Sequence, residues 1–126
     1  MAKLSEKAKK IMAEVFPAYV ATAGKNGKPN VAPKGSFRIL DDEHVCYVEM
    51  ATPPARTFAN LKENPQILFV FCDPAAFKVC RVWGKVEEVL ESGKLVDEYK
   101  ALFASGGSKN VPKYVVKVAV EEESIL

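Results

Sequence analysis

The stretch AYVATAGKNGKPNVAPKGSFRIL, residues 18–40, decides the fold. Ala18–Ala23 reads as a strand, and Gly24-Lys25-Asn26-Gly27-Lys28 contains an Asn-Gly turn, the strongest short-range hairpin signal. Asn30–Leu40 is the return strand, interrupted by Pro33 and Gly35. Proline in a strand implies an edge or a bulge, and glycine implies close approach of something to the backbone. An antiparallel pair of this kind sets a sheet built from short connections.

Working outward, Leu4–Phe16 carries Leu4, Ala8, Ile11, Met12 and Val15 at helical spacing, with Ser5 as cap and Pro17 as stop. Asp41–His44 is a turn and Val45–Met50 a third strand. Gln66–Cys72 (QILFVFC) is nearly unbroken in apolar residues, which predicts cover on both faces: barrel interior on one, a helix or partner chain on the other. Phe77–Leu90 reads as a long, bent strand with Val82, Gly84 and Val86 on one face. Ser92 is the expected cap of a helix through Leu95, Val96, Tyr99, Leu102 and Phe103, closed by Gly106-Gly107. Tyr114–Val120 is the last strand. The sum is a mainly β (α+β) chain: a six-stranded antiparallel split β-barrel with three flanking helices, in one domain over residues 1–126.

Composition narrows the function. The 126 residues hold 18 basic and 16 acidic side chains, too balanced for a nucleic-acid binder that relies on counterion release. No apolar run approaches the roughly 20 residues of a membrane span, and MAKLSEKAKK lacks the apolar core of a signal peptide, so a cytoplasmic protein is expected. The three cysteines, Cys46, Cys72 and Cys80, lie in apolar strands without metal-ligand spacing and read as small hydrophobes. His44 follows Asp41-Asp42-Glu43 in a turn and reads as solvent-facing, a poor basis for imidazole catalysis.

One segment points to a ligand. In ATPPARTFANLKENP, residues 51–65, Thr52 is a good N-cap, and Pro53 and Pro54 suit a first turn whose amides have no partner to lose. Arg56 and Thr57 follow in that turn, beside free N–H groups and the positive end of the helix dipole. Oriented amides, a bidentate cation and a hydroxyl are the parts of a phosphate site. A short surface helix with a solvated Arg56 is the other reading of the same residues.

Taken in order, AYVATAGKNGKPNVAPKGSF, DDEHVCYVEM, ARTFANLKENPQILFVF and RVWGKVEEV resemble the pyridoxamine 5'-phosphate oxidase-like family of FMN-binding split barrels. The likeness covers Ala18 to Val120 and is nearest to the small FMN-binding proteins of that family. It implies a homodimer with FMN at the subunit interface. It places Pro33, Lys34, Gly35 and Ser36 against the flavin ring and Arg56-Thr57 at the phosphate. Met50, Ala51 and Thr52 would line the ribityl chain. Arg81 and Trp83, sharing one face of a strand, would pack on the ring or its phosphate; a core position is the commoner fate of a lone tryptophan. The full oxidases carry further substrate-binding arginine and histidine residues that nothing here matches, so oxidation of pyridoxamine phosphate is not expected.

The function implied is an FMN-dependent oxidoreductase or electron-transfer protein acting on a small molecule or a protein redox partner. A flavin brings its own redox chemistry, which explains a sequence without a triad or a metal cluster. A cation at Lys34 or Arg56 would favour the negative charge of a reduced flavin and raise its potential. The alternative is a non-catalytic module holding FMN, heme or a deazaflavin, and a further one is a plain β-barrel interaction domain.

Overall fold

Chain order in the computed structural model, which describes residues 2–50 and 56–126, is α1 (Glu6–Glu14), β1 (Ala18–Ala23), β2 (Pro29–Lys34), β3 (Arg38–Asp41), β4 (His44–Met50), α2 (Arg56–Glu63), β5 (Gln66–Asp73), β6 (Lys78–Leu90), α3 (Lys94–Ser105) and β7 (Pro112–Ile125). The strands form one antiparallel sheet in the order β2-β1-β5-β6-β7-β4-β3. Its two edges, β2 and β3, are consecutive in the chain and joined only by Gly35-Ser36-Phe37. Six spacings of about 4.8 Å would part the edges of a flat sheet by roughly 29 Å. The four peptide links from Lys34 to Arg38 span at most about 14 Å. The sheet must therefore curl until its edges meet. Among the described residues no ladder joins β2 to β3, so the barrel is split there.

Side chains confirm the closure. Phe37, from the joining turn, sets its ring 5.1 Å from Phe69 and 4.8 Å from Phe71, both edge-on, on the inner face of β5. The interior core collects Val20, Val45, Tyr47, Phe69, Phe71, Val82, Val116, Val118 and Val120. Helix α1 plugs one end with Ala8, Ile11 and Met12. As expected, Ser5 caps it, its hydroxyl oxygen accepting from the Ala8 amide at 3.1 Å while the hydroxyl donates to Glu123 of β7 at 2.6 Å. A second core lies outside the barrel, where Cys46, Val48 and Val115 meet Val96 and Tyr99 of α3.

Four expectations change. The return strand predicted over residues 30–40 divides into β2 and β3 at Gly35, which makes seven strands rather than six. The cap of α3 is Gly93, without a side-chain bond, rather than Ser92. Of the helix or partner chain expected over the outer face of β5, no helix covers Leu68 and Val70, which are half-exposed within the single chain; the strand buried on both faces by the chain itself is β4, between the barrel and α3. Trp83 is half-buried on the outer face and belongs to neither core.

The bend expected in β6 is carried by register shifts at Trp83/Gly84 and Val86/Glu88. Gly84 is required there: a Cβ would stand 2.5 Å from Val118 Cγ1 and 2.7 Å from the Ala119 carbonyl oxygen. Backbone cannot yield as a side-chain tip does, so Gly84→Ala should cost about 3 kcal/mol. Urea unfolding measures it, and an unchanged midpoint would mean that β6 and β7 separate freely at this point.

Candidate functional site

Helix α2 is fixed to the first hairpin by a polar stripe at i, i+3 and i+6. The Asn30 amide donates to Thr57 Oγ1 at 3.0 Å, the Asn60 amide donates to Thr22 Oγ1 at 3.1 Å, and Glu63 Oε1 accepts from the Lys25 amide at 2.9 Å. Residues three apart share a helix face, which is why these three reach one hairpin. Thr57 and Asn60 are buried, so each bond also satisfies a polar group removed from water.

This docking determines what surrounds Arg56. A hollow of about 150 Å³ is lined by Lys28, Pro29 and Asn30 from the hairpin and by Arg56 from the start of α2. Two cations and a side-chain amide thus converge at a helix N-terminus, an arrangement suited to an anion. Thr57, expected to face the ligand, is fully buried beneath Asn30 and supports it instead. Lys28 and Asn30 line this candidate hollow, and the sequence reading did not single them out. The Thr57-x-x-Asn60-x-x-Glu63 spacing was the available signal for the docking, though not for its target. The Thr52 cap and the ribityl position of Ala51 and Thr52 lie outside the described residues.

The other end of β2 carries Pro33, Lys34, Gly35 and Ser36. Gly35 is exposed and borders two hollows of about 320 Å³ each, one reaching Phe16, Phe37 and Phe71, the other reaching Arg38, Tyr99 and Phe103. A Cβ at Gly35 would sit 3.0 Å from Phe16 Cζ, so the glycine expected for close approach is indeed approached, in this structure by a phenylalanine that is 77% exposed. The turn is anchored from behind. Ser36 Oγ accepts from the Val48 amide at 2.9 Å, and the Tyr99 hydroxyl donates to the Ser36 carbonyl at 2.6 Å. Burial comes first among the causes that push the Tyr99 phenol above its ordinary range, so it stays a donor. Lys34 turns inward, 3.0 Å from Glu49 Oε1 and over the Tyr47 ring.

The remaining candidates stand apart. Met50 packs with the α3-side core rather than toward the Arg56 hollow. Arg81 and Trp83 lie on the outer face of β6, opposite Val70 and Leu68. Trp83 lines a shallow depression with Ala21, Ala23 and Leu68, which shares Pro29 as a wall with the Arg56 hollow. His44 is less exposed than expected, held 2.8 Å from Asp41 and 3.4 Å from Glu87.

The family described as pyridoxamine 5'-phosphate oxidase matches residues 4–125. HupZ of Group A Streptococcus superposes with a TM-score of 0.80 at 29% identity, covering 98% of this chain and 94% of that one. An FMN-binding protein from Syntrophomonas wolfei superposes at 0.82 with 21% identity, covering 96% and 84%. HutZ, the heme storage protein of Vibrio cholerae, superposes at 0.67 with 18% identity, covering 98% and 94%. No functionally curated protein shows significant sequence similarity to the chain.

Thiol chemistry is confined to one position. Cys46 and Cys80 are buried and Cys72 is exposed. Burial pushes the Cys80 thiol up to about 11 and the Cys46 thiol above its ordinary value. At pH 8 the Cys80 thiolate is then roughly one part in a thousand, and reactivity follows the thiolate. Ellman's reagent should titrate one thiol in the native protein at pH 8 and all three in guanidinium. Rapid native reaction of two or more would show that the barrel opens readily.

Proposed function

Because the chain belongs to the pyridoxamine 5'-phosphate oxidase family, we propose that it is an FMN-binding flavoprotein, a homodimer that exchanges electrons or hydride with a small molecule or protein partner. The observation that carries this reading is the cationic hollow of Lys28, Asn30 and Arg56 at one end of β2, with an exposed glycine backbone at the other. At about 3.3 Å per residue, Asn30 and Gly35 are roughly 16 Å apart, a length suited to a phosphate, a ribityl chain and a tricyclic ring laid along one strand. The donor set also fits the group. Arg56 and Lys28 would neutralise a phosphate. Asn30 gives one N–H to Thr57 and keeps a carbonyl and a second N–H for hydroxyls. Gly35 and Ser36 would offer backbone groups to the ring edge, on a turn that Tyr99 and Val48 hold still.

When bound, FMN supplies hydride or electron transfer itself. The chain's own work is to bind, orient and shield. Arg56 and Lys28 would fix the phosphate end, the Tyr99–Ser36 bond would fix the ring end, and Phe37 and Phe71 give the hollow beneath Gly35 an apolar wall. The homodimer is supported by the outer face of the sheet. Two cross-strand rows there, Pro33–Tyr19–Val70 and Val31–Ala21–Leu68–Trp83, form an apolar surface in which Tyr19 is 42% and Val31 62% exposed. A second copy would cover it and bring Arg81 and Trp83 to the interface. A cytoplasmic setting accords with three unpaired thiols.

The purified protein should retain added FMN through desalting and show the bands of an oxidised flavin. Arg56→Ala should weaken binding by about 2 kcal/mol, roughly thirty-fold, the worth of a charged hydrogen bond to phosphate. A Soret band instead, or no retained chromophore, would overturn the FMN assignment; unchanged affinity would remove Arg56 from the site. Light scattering on the eluting protein should read twice the chain mass of 13.8 kDa. A monomer, with FMN bound, would refute the interface.

A further inference from the structure

Among the described residues Glu49 is the only buried charged side chain. It points into the barrel from β4, on the face that carries Val45 and Tyr47, and its side chain is 4% exposed. Among the described residues the buried Tyr47 hydroxyl, on the same face, has no hydrogen-bond partner. Lys34 Nζ lies 3.0 Å from Glu49 Oε1, an ion pair with little access to water. The Lys34 side chain is 15% exposed, and its ammonium sits 5.5 Å from the centre of the Tyr47 ring.

Stability is a poor explanation for this pair. Taking two charges from water costs about what their attraction returns, and an apolar pair of the same volume is often as stable or more so. A buried Tyr47 hydroxyl left without a partner among the described residues makes the cluster still less favourable as pure scaffolding. What the pair does change is charge at a particular place. Lys34 precedes Gly35 and lines the same hollow. Alone it would present a full positive charge to anything bound along that turn. With Glu49 at 3.0 Å the two present a dipole of no net charge.

We infer that Glu49 is a positioning residue that holds Lys34 inward and cancels its charge, and so sets the reduction potential of a flavin bound at Gly35. The inference rests on the FMN reading and reverses one expectation drawn from sequence: Lys34 does not by itself raise the potential, because its counter-ion is built into the barrel wall. Releasing the ammonium would favour the reduced, more negative cofactor.

The test is the midpoint potential of the FMN-loaded protein, read by spectroelectrochemical titration for wild type, Glu49→Gln and the double variant Lys34→Met with Glu49→Gln. Glu49→Gln should bind reduced over oxidised FMN about ten-fold better than wild type, about 30 mV upward for a two-electron couple. The double variant, with neither charge, should return to the wild-type value and unfold no earlier than wild type. It carries the test if Glu49→Gln alone fails to fold. A wild-type potential in Glu49→Gln, or a double variant displaced from wild type, overturns the inference while leaving the FMN reading in place. A wild-type protein that takes up no FMN overturns both.

Discussion

Everything in this chain depends on the three-residue turn between Lys34 and Arg38. It links the two outermost strands of a seven-stranded sheet, so those strands cannot be far apart in space. Right-handed twist gives a sheet a tendency to coil, and the short tether turns that tendency into closure. Once closed, the sheet has an inside, and the inner-facing residues of five strands merge into one core with Phe37 wedged among Phe69 and Phe71. The barrel ends still need covering. Helix α1 does so at one, tied to β7 through Ser5 and Glu123, while α3 builds a separate core on the outside of β4 and β7.

Closure also decides where polar chemistry can sit. Along the split, the inward side of β2 carries Asn30, Ala32 and Lys34 rather than large aliphatics, because their cross-strand partners Thr22, Val20 and Ala18 already fill the interior there. Asn30 and Lys34 each find a partner across the gap, one in Thr57 of α2 and the other in Glu49 of β4. The same strand therefore has a hydrogen-bonded amide at one end and an ion pair at the other, with exposed backbone between and beyond. Helix α2, docked by its polar stripe, adds Arg56 to the amide end. The candidate site is thus a by-product of how the split is sealed.

Much of this was legible in sequence because it rests on local rules. The Asn26-Gly27 turn, the Ser5 cap and the stop at Pro17 need only neighbours in the chain. Arg56 was legible as a helix-start cation. Lys28 and Asn30 were not, since nothing in a hairpin return says which helix will lie across it. Glu49 was not singled out in sequence, since nothing local to its strand says that both faces of β4 will be covered. The division of one strand into β2 and β3 was signalled by Pro33 and Gly35, but a bulge and a break give the same signal, and only the sheet order separates them.

The placement of prolines in β2 has a consequence for how the protein behaves in a crowd. An edge strand tolerates proline on the side turned away from its neighbour, where no ladder donor is needed. Pro29 and Pro33 share that side with Val31, so two of its three outward backbone positions have no N–H to give. The opposite edge, β3, is four residues long and begins on an arginine. A split barrel keeps two raw edges that a closed one would lack, and each is a template on which a stranger's strand could grow. Here one edge is short of donors and the other is short of length, so the gap can stay open for a ligand without inviting fibrils.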